Sequence, residues 1–357
     1  MSIPASMSDY RLLAKRKLPK KIFDYIDTGA CDEITKQKNR DAFDSLNLRP
    51  LCLRDVSNST SSTHLLGYEL CSPFLIAPTA FHQLVDKQGE VSTAKAANTS
   101  GIPMVVSAMS NRSLEDIINL SGHNNLWLQT YIFKNRALTE SLIHRAEKIG
   151  YKAIVVTVGV PISGKRERDI RNQFVLPKEL STGNFNSTVN SEVLYNFTAH
   201  ELDSSLTWHD IEWLQTITPL PIILKGILNP LDADKACQLN IACIIVSNHG
   251  GRQLDTSEAT ISVLPDIVKT VAGQIPVLLD GGVQRGTDIF KAIALGADAV
   301  LVGRSILWAL AVDGEKGVEA ILTILKDEFE AVMKLTGCCT IQEIKQFGSS
   351  ICSTGLK

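Results

Sequence analysis

The chain has 357 residues, 44% apolar and 21% charged, with a formal net charge of −2. That is ordinary for a globular chain with a sizeable core. Near-neutrality excludes a long-range pull toward nucleic acid or an anionic membrane surface, so an anionic ligand must be held by local arginines. No apolar run approaches the ~18 residues of a membrane span, and residues 1–21 lack the apolar core of an export signal. The last residues, Gly355-Leu356-Lys357, do not form a peroxisomal S-K-L ending. The expected setting is the cytosol. Cys31, Cys52, Cys71, Cys237, Cys243, Cys338, Cys339 and Cys352 are scattered without a C-x-x-C pair, which reads as free thiols and no metal site.

In chain order, the opening segment through about Lys38 reads as helical, with Leu12-Leu13, Leu18 and Ile22-Phe23 on one face. Eight short apolar runs follow: Phe74–Ala77, Met104–Ser107, Trp127–Tyr131, Ala153–Thr157, Ile222–Lys225, Ile244–Ser247, Val277–Asp280 and Ala299–Val302. They lack clean alternation, as strands buried on both faces do. Helix-like stretches such as Ser113–Ile118 and Leu138–Ile143 separate them, implying β-α-β crossovers. An open doubly wound sheet can also hold eight strands. The polar residues Gln129, Tyr131, Thr157, Lys225, Ser247, Asp280 and Arg304 favour a (β/α)₈ barrel, because all sit at strand ends, where such a barrel carries its site. The expected architecture is one domain over 1–357, with an N-terminal helical segment and a barrel over about 70–325. A long insertion between Thr157 and Ile222 passes through the Ser/Asn-rich stretch Ser181–Ser191 and reads as a partly mobile lid.

Two motifs carry chemistry. Ile244–Ser247 runs into Asn248-His249-Gly250-Gly251-Arg252-Gln253-Leu254-Asp255, placing an imidazole three residues from a guanidinium. A general base beside a carboxylate-gripping arginine is what oxidation of a 2-hydroxy acid requires. Further on, Asp280-Gly281-Gly282 and Gly303-Arg304 follow the last two strands, the usual phosphate site of a TIM barrel. Asp280 suits sugar-like hydroxyls and Arg304 suits the phosphate. No strand is followed by G-x-G-x-x-G, which disfavours a Rossmann-bound nicotinamide.

With these motifs, and with Asp24-Tyr25, Ile76–Ala80, Leu128–Tyr131 and Leu224-Lys225-Gly226, the chain resembles the FMN-dependent L-2-hydroxy-acid oxidases and dehydrogenases from about Tyr10 to Ile344. The resemblance implies FMN as cofactor and oxidation of a small or medium 2-hydroxy acid to the 2-oxo acid, with O₂ yielding H₂O₂. It makes His249 the base. Arg166 and Arg252 would bind the substrate carboxylate, Tyr25 and Tyr131 its oxygens, and Met109 would border its side chain. Lys225 would lie beside flavin N1 and O2. Thr79, Ala80, Ser107, Gln129 and Thr157 would touch the isoalloxazine. Ser247, Asp280, Gly281, Gly282, Arg285, Gly303 and Arg304 complete the cofactor site. A homotetramer is expected by analogy with the fold.

Three departures from the family pattern stand out. Thr157-Val158-Gly159-Val160-Pro161 replaces the usual T-V-D-T-P, removing the carboxylate that supports the catalytic imidazole. Glu167, Asp169 or a water would then have to replace it. Met109 stands where glycolate oxidase has tryptophan, widening the expected substrate range. Gln284 replaces an arginine, leaving Arg285 to supply that phosphate charge. The alternatives are a dehydrogenase passing electrons to a quinone or carrier, and a degenerate FMN-binding chain with little turnover.

Overall fold

A computed structural model describes residues 3–177, 179–185 and 201–354. Its centre is a closed barrel of eight parallel strands. In chain order they are Phe74–Ile76, Met104–Ser107, Leu126–Thr130, Ile154–Thr157, Ile222–Ile227, Cys243–Val246, Val277–Asp280 and Ala299–Val302. Each pairs with its sequence neighbour, and the eighth returns to the first through Val300–Phe74, Leu301–Leu75 and Val302–Ile76. The eight runs read from sequence are these strands, shifted by at most a few residues.

Alternation along each strand divides the core. Leu75, Val105, Trp127, Val155, Ile223, Ile245, Leu278 and Leu301 fill the barrel interior, while Ile76, Val106, Leu128, Val156, Leu224 and Val246 pack outward with the helices. The hairpin Thr63–Leu65/Tyr68–Leu70 adds Leu65 and Leu70 to the interior cluster. Polar side chains are thereby left to the strands' carboxyl ends.

The N-terminal segment is three helices rather than one: α1 (Met7–Lys17), α2 (Lys20–Asp27) and α3 (Ile34–Ser45). Pro19 causes the first break, because the residue before proline is driven to extended backbone and Leu18 has φ −84° and ψ 147°. The second break holds Cys31 and Glu33 in the left-handed region, at φ 44° and 63°.

In the long connection after the fourth strand, helix Glu167–Arg171 comes first. Its return helix, Trp208–Ile217, starts at a capping box formed by Thr207 and Asp210. Of the long connection expected to form a lid, residues 186–200, which include most of the Ser/Asn-rich stretch Ser181–Ser191, lie outside the described residues.

Candidate active site

One cavity of about 960 Å³ opens at the carboxyl ends of the strands. Its wall carries Tyr25, Thr79, Ala80, Ser107, Met109, Gln129, Tyr131, Thr157, Arg166, Lys225, His249 and Arg252, together with Asp280, Gly281, Gly282, Gly303 and Arg304. Residues far apart in sequence converge because each sits just past a strand end or on the helices above.

His249 leaves the sixth strand on a loop in which His249, Gly250 and Gly251 all have positive φ (56°, 63° and 72°). Glycine reaches that region freely; a histidine there is held by its surroundings. Two contacts hold it. The His249 amide donates to Ser247 Oγ at 3.1 Å. Asn248 and Asn39 of α3 exchange side-chain amide hydrogen bonds at 2.8 and 2.9 Å. Asp255 accepts from the backbone amides of Asp32 and Thr35 at 3.1 and 2.8 Å, fastening the same loop to the start of α3.

Arg252 donates to the Tyr25 and Thr28 carbonyls at 2.9 and 3.0 Å. Its guanidinium lies 5.4 Å from the Tyr25 ring centroid, and that of Arg166 lies at 5.9 Å. Tyr25 itself is stacked on Phe174 at 4.5 Å. The two guanidiniums therefore share one buried aromatic surface. Burial raises the Tyr25 phenol above its ordinary range and carries that of Tyr131 up to about 12, so both are hydroxyl donors at neutral pH.

Along the cavity floor runs a polar chain. Ser107 Oγ donates to Gln129 Oε1 at 3.0 Å, and Gln129 Nε2 donates to Thr157 Oγ1 at 3.1 Å. Lys225 continues it, pairing with Asp280 at 2.8 Å and donating to Ser247 Oγ at 2.9 Å. The buried Lys225 charge thus already has a protein partner, so a flavin is not needed to explain its burial. The other carboxylate oxygen of Asp280, Oδ1, is buried without a hydrogen bond.

At the far end, Gly303 precedes the helix Arg304–Thr336, which has no side-chain cap. The first amides of a helix lack intrahelical partners, and Gly303, Arg304 and Ser305 border the cavity. The Arg304 guanidinium donates to the Ile26, Thr28 and Gly250 carbonyls at 2.7–3.2 Å. Burial, and then the Arg252 charge, lower Arg304 to about 10, so it stays cationic.

Two expected cofactor residues lie off the wall. Ser247 sits behind it, accepting from Lys225 and His249. Arg285 caps the helix Gly286–Ala294 and reaches outward to Glu328 at 2.5 Å. The carboxylates expected to replace the missing aspartate are also engaged elsewhere. Glu167 pairs with Lys165 at 3.2 Å and with Arg171. Asp169 pairs with Arg166 at 3.0 Å. His249 accordingly faces cations: burial first, then Lys225, Arg252, Arg166 and Arg304, push its imidazole well below the usual value.

Sequence reading missed Asn39, Lys36, Arg40 and His82. Arg40 grips Asp288 at 2.6 and 2.8 Å and the Gly282 carbonyl at 2.9 Å, fixing the loop after the seventh strand. Buried His82 hydrogen-bonds Thr79 Oγ1 at 2.7 Å and Thr93 Oγ1 at 2.9 Å. Nothing in the spacing of these residues marks them, because their roles depend on how α3 and the loop after the first strand pack against the glycine motifs.

The family model for FMN-dependent dehydrogenases matches residues 14–349. An L-lactate oxidase of Nostoc sp. is 45% identical over 355 residues, covering 96% of this chain and 97% of its own length. A peroxisomal (S)-2-hydroxyacid oxidase of Arabidopsis thaliana is 47% identical over 346 residues, covering 95% and 94%. The glycolate oxidase of Spinacia oleracea is 44% identical over 348 residues, covering 96% and 94%. Among solved structures, a mandelate oxidase superposes with a TM-score of 0.91 at 38% identity, covering 96% of this chain and 98% of that one.

Proposed function

The chain belongs to the FMN-dependent dehydrogenase family, and on that premise we propose that its cavity oxidises a small or medium L-2-hydroxy acid, with O₂ as acceptor. The reaction class is FMN-dependent 2-hydroxy-acid oxidation. The observation that carries the residue-level reading is the placement of His249 among Arg252, Arg166, Tyr25 and Tyr131 on the wall that also holds the Lys225–Asp280 pair.

The cavity fits the cofactor. The bare Asp280 Oδ1 suits a ribityl hydroxyl. Gly303 borders the cavity, where a Cβ would make only ordinary contacts, with Ala77 Cβ at 3.6 Å and Thr79 Cγ2 at 3.7 Å. The uncapped helix start beyond it suits a phosphate. Thr79, Ala80, Ser107, Gln129 and Thr157 would line the ring, while Asp280, Gly281, Gly282, Gly303 and Arg304 would hold the ribityl phosphate. FMN held there would supply the two-electron acceptor chemistry between the 2-hydroxy acid and O₂, with the 2-oxo acid and H₂O₂ as products.

The protein's own residues do the rest. Arg252 and Arg166 clamp the substrate carboxylate as charge-assisted donors. That carboxylate offsets one of the four positive charges around His249. Tyr25 and Tyr131 donate to substrate oxygens. His249, neutral at physiological pH, takes a proton from the substrate at a ring nitrogen. Lys225, fixed by Asp280 and Ser247, contributes a preorganised positive charge where negative charge accumulates during reduction. Met109, Val160 and Leu202 border the substrate end, and a recess of about 70 Å³ lies behind Tyr131, Val160 and Leu202. These apolar walls favour side chains longer than that of glycolate.

Among the described residues no helix is long and apolar enough to cross a membrane. A cytosolic homotetramer is the proposed setting, checked by fractionation and light scattering. A second reading, an FMN-binding chain with little turnover, is favoured by the four cations that dominate the charges acting on His249. Anaerobic addition of glycolate, L-lactate, longer L-2-hydroxy acids and L-mandelate to the purified protein separates the two. Bleaching by one of them, with H₂O₂ formed under air and both lost in His249→Gln, supports the oxidase. A yellow protein that none of them bleaches supports the second reading.

A further inference from the structure

The phosphate end of the cavity lacks the cation expected there, since Gln284 replaces an arginine and Arg285 is turned out onto Glu328. Arg40 borders the same end but is committed to Asp288 and the Gly282 carbonyl. Lys36 is different. It lies in the first turn of α3 and borders the cavity together with Gly281, Gly282, Gln284 and Arg304. Its backbone is locked against the histidine loop: a Cβ on Gly251 would lie 2.5 Å from the Lys36 nitrogen. Its side chain is 22% exposed, with Nζ 3.2 Å from Asp27 and 3.0 Å from Glu33. Lys36 and Arg304 border the same cavity; burial lowers the Lys36 ammonium, Asp27 opposes that shift and the Arg304 charge adds to it.

Arg11, Lys36 and Arg168 pair with Asp27 and Glu33, Arg168 also lies 3.8 Å from Asp24, and Asp27, Glu33 and Asp280 act on Arg304. A phosphate arriving beside Arg304 would therefore have to draw a cation from these pairs. A phosphate monoester carries about −1.5 to −2 at pH 7. Lys36 is the cation that can be released without stranding a carboxylate. Asp27 would keep Arg11 at 2.7 Å and Arg168 at 3.4 Å, and Glu33 would keep Arg168 at 2.7 Å.

We propose that Lys36 is a phosphate-binding residue of this chain's FMN site, supplying the charge that Gln284 does not. The proposal rests on the reading of Gly281, Gly282, Gly303 and Arg304 as the phosphate end. Riboflavin, which lacks the phosphate, is the discriminating probe. FMN and riboflavin are titrated against flavin-stripped protein by fluorescence quenching, for the native chain and for Lys36→Met, Lys36→Arg, Arg285→Ala and Arg304→Met. Lys36→Met should weaken FMN about tenfold, the loss of one charge-assisted contact, and leave riboflavin within about twofold. Lys36→Arg should restore FMN affinity, and Arg285→Ala should change neither ligand. Unchanged FMN affinity in Lys36→Met, or equal loss of both ligands, overturns the proposal. If Arg304→Met discriminates the two flavins and Lys36→Met does not, the phosphate-end reading stands and the proposal alone falls. If neither variant discriminates them, both fall.

Discussion

Restoring a carboxylate at position 159 sets a favourable electrostatic effect against a steric cost. The charges that act most strongly on His249 are four cations, Lys225, Arg252, Arg166 and Arg304. Gly159 lies between Thr157 and Val160, both on the His249 cavity wall. An opposite charge within reach typically moves a pKa by about 1–3 units. With proton transfer about half complete in the transition state, Gly159→Asp should speed flavin reduction roughly 3- to 30-fold. Against this, a Cβ at 159 would sit 3.1 Å from the Gly226 Cα and 3.3 Å from its carbonyl oxygen. Gly226 has φ +119° and no side chain to move aside, so the backbone must yield by a few tenths of an ångström. Overpacking of this kind costs about 1–3 kcal/mol of stability. The assay is anaerobic stopped-flow reduction at saturating substrate across pH, with Gly159→Ala carrying the steric part alone. The aspartate variant should reduce faster and its acid limb should move to higher pH, while both variants melt earlier. A folded, yellow Gly159→Asp protein with unchanged rate and limb would refute the reasoning, as would an equal gain in Gly159→Ala.

Three further outcomes are expected. Because burial and neighbouring cations depress the His249 imidazole, the base stays neutral as pH falls past about 6.5; the acid limb of kcat/KM should therefore lie well below that value, and a limb at or above it would contradict the electrostatic picture. Lys225→Met should strand the buried Asp280 carboxylate, whose side chain is 9% exposed, at a cost of about 3–5 kcal/mol. Lys225→Met/Asp280→Leu should recover most of the lost melting temperature, and a single variant melting like the native chain would show the pair to be unimportant. Met109→Trp should shift kcat/KM toward glycolate over longer 2-hydroxy acids by about tenfold, and an unchanged ratio would place the substrate side chain elsewhere.

The barrel was legible because parallel strands buried on both faces must be short apolar runs, and because polar residues at their ends have no core to enter. Gln129, Thr157, Lys225 and Asp280 could thus be read as one site although separated by helices. What escaped depends on the direction a side chain takes. Gln284 and Arg285 are adjacent, yet one borders the cavity and the other, at a helix cap, points to Glu328. Nothing in their spacing distinguishes them. Lys36 reads as a solvated charge on a polar helix until the approach of Gly251 sets the register of α3 against the histidine loop. Likewise, the partner of Lys225 could not be named before the fifth and seventh strands were placed in one barrel.

The N-terminal helices are part of the chemistry rather than a cover for it. The last carbonyls of a helix lack intrahelical partners and form the negative end of its dipole. At the end of α2, the Tyr25, Ile26 and Thr28 carbonyls accept from Arg252, and those of Ile26 and Thr28 also accept from Arg304. These arginines come from the loops after the sixth and eighth strands, at the proposed substrate and phosphate ends of the cavity. A single helix terminus therefore orients both guanidiniums while delivering the Tyr25 ring between them and Phe174. Asp27, at the same terminus, holds Arg11, Lys36 and Arg168. Displacing α2 would thus disturb the proposed carboxylate clamp and the proposed phosphate end together, even with every barrel strand intact.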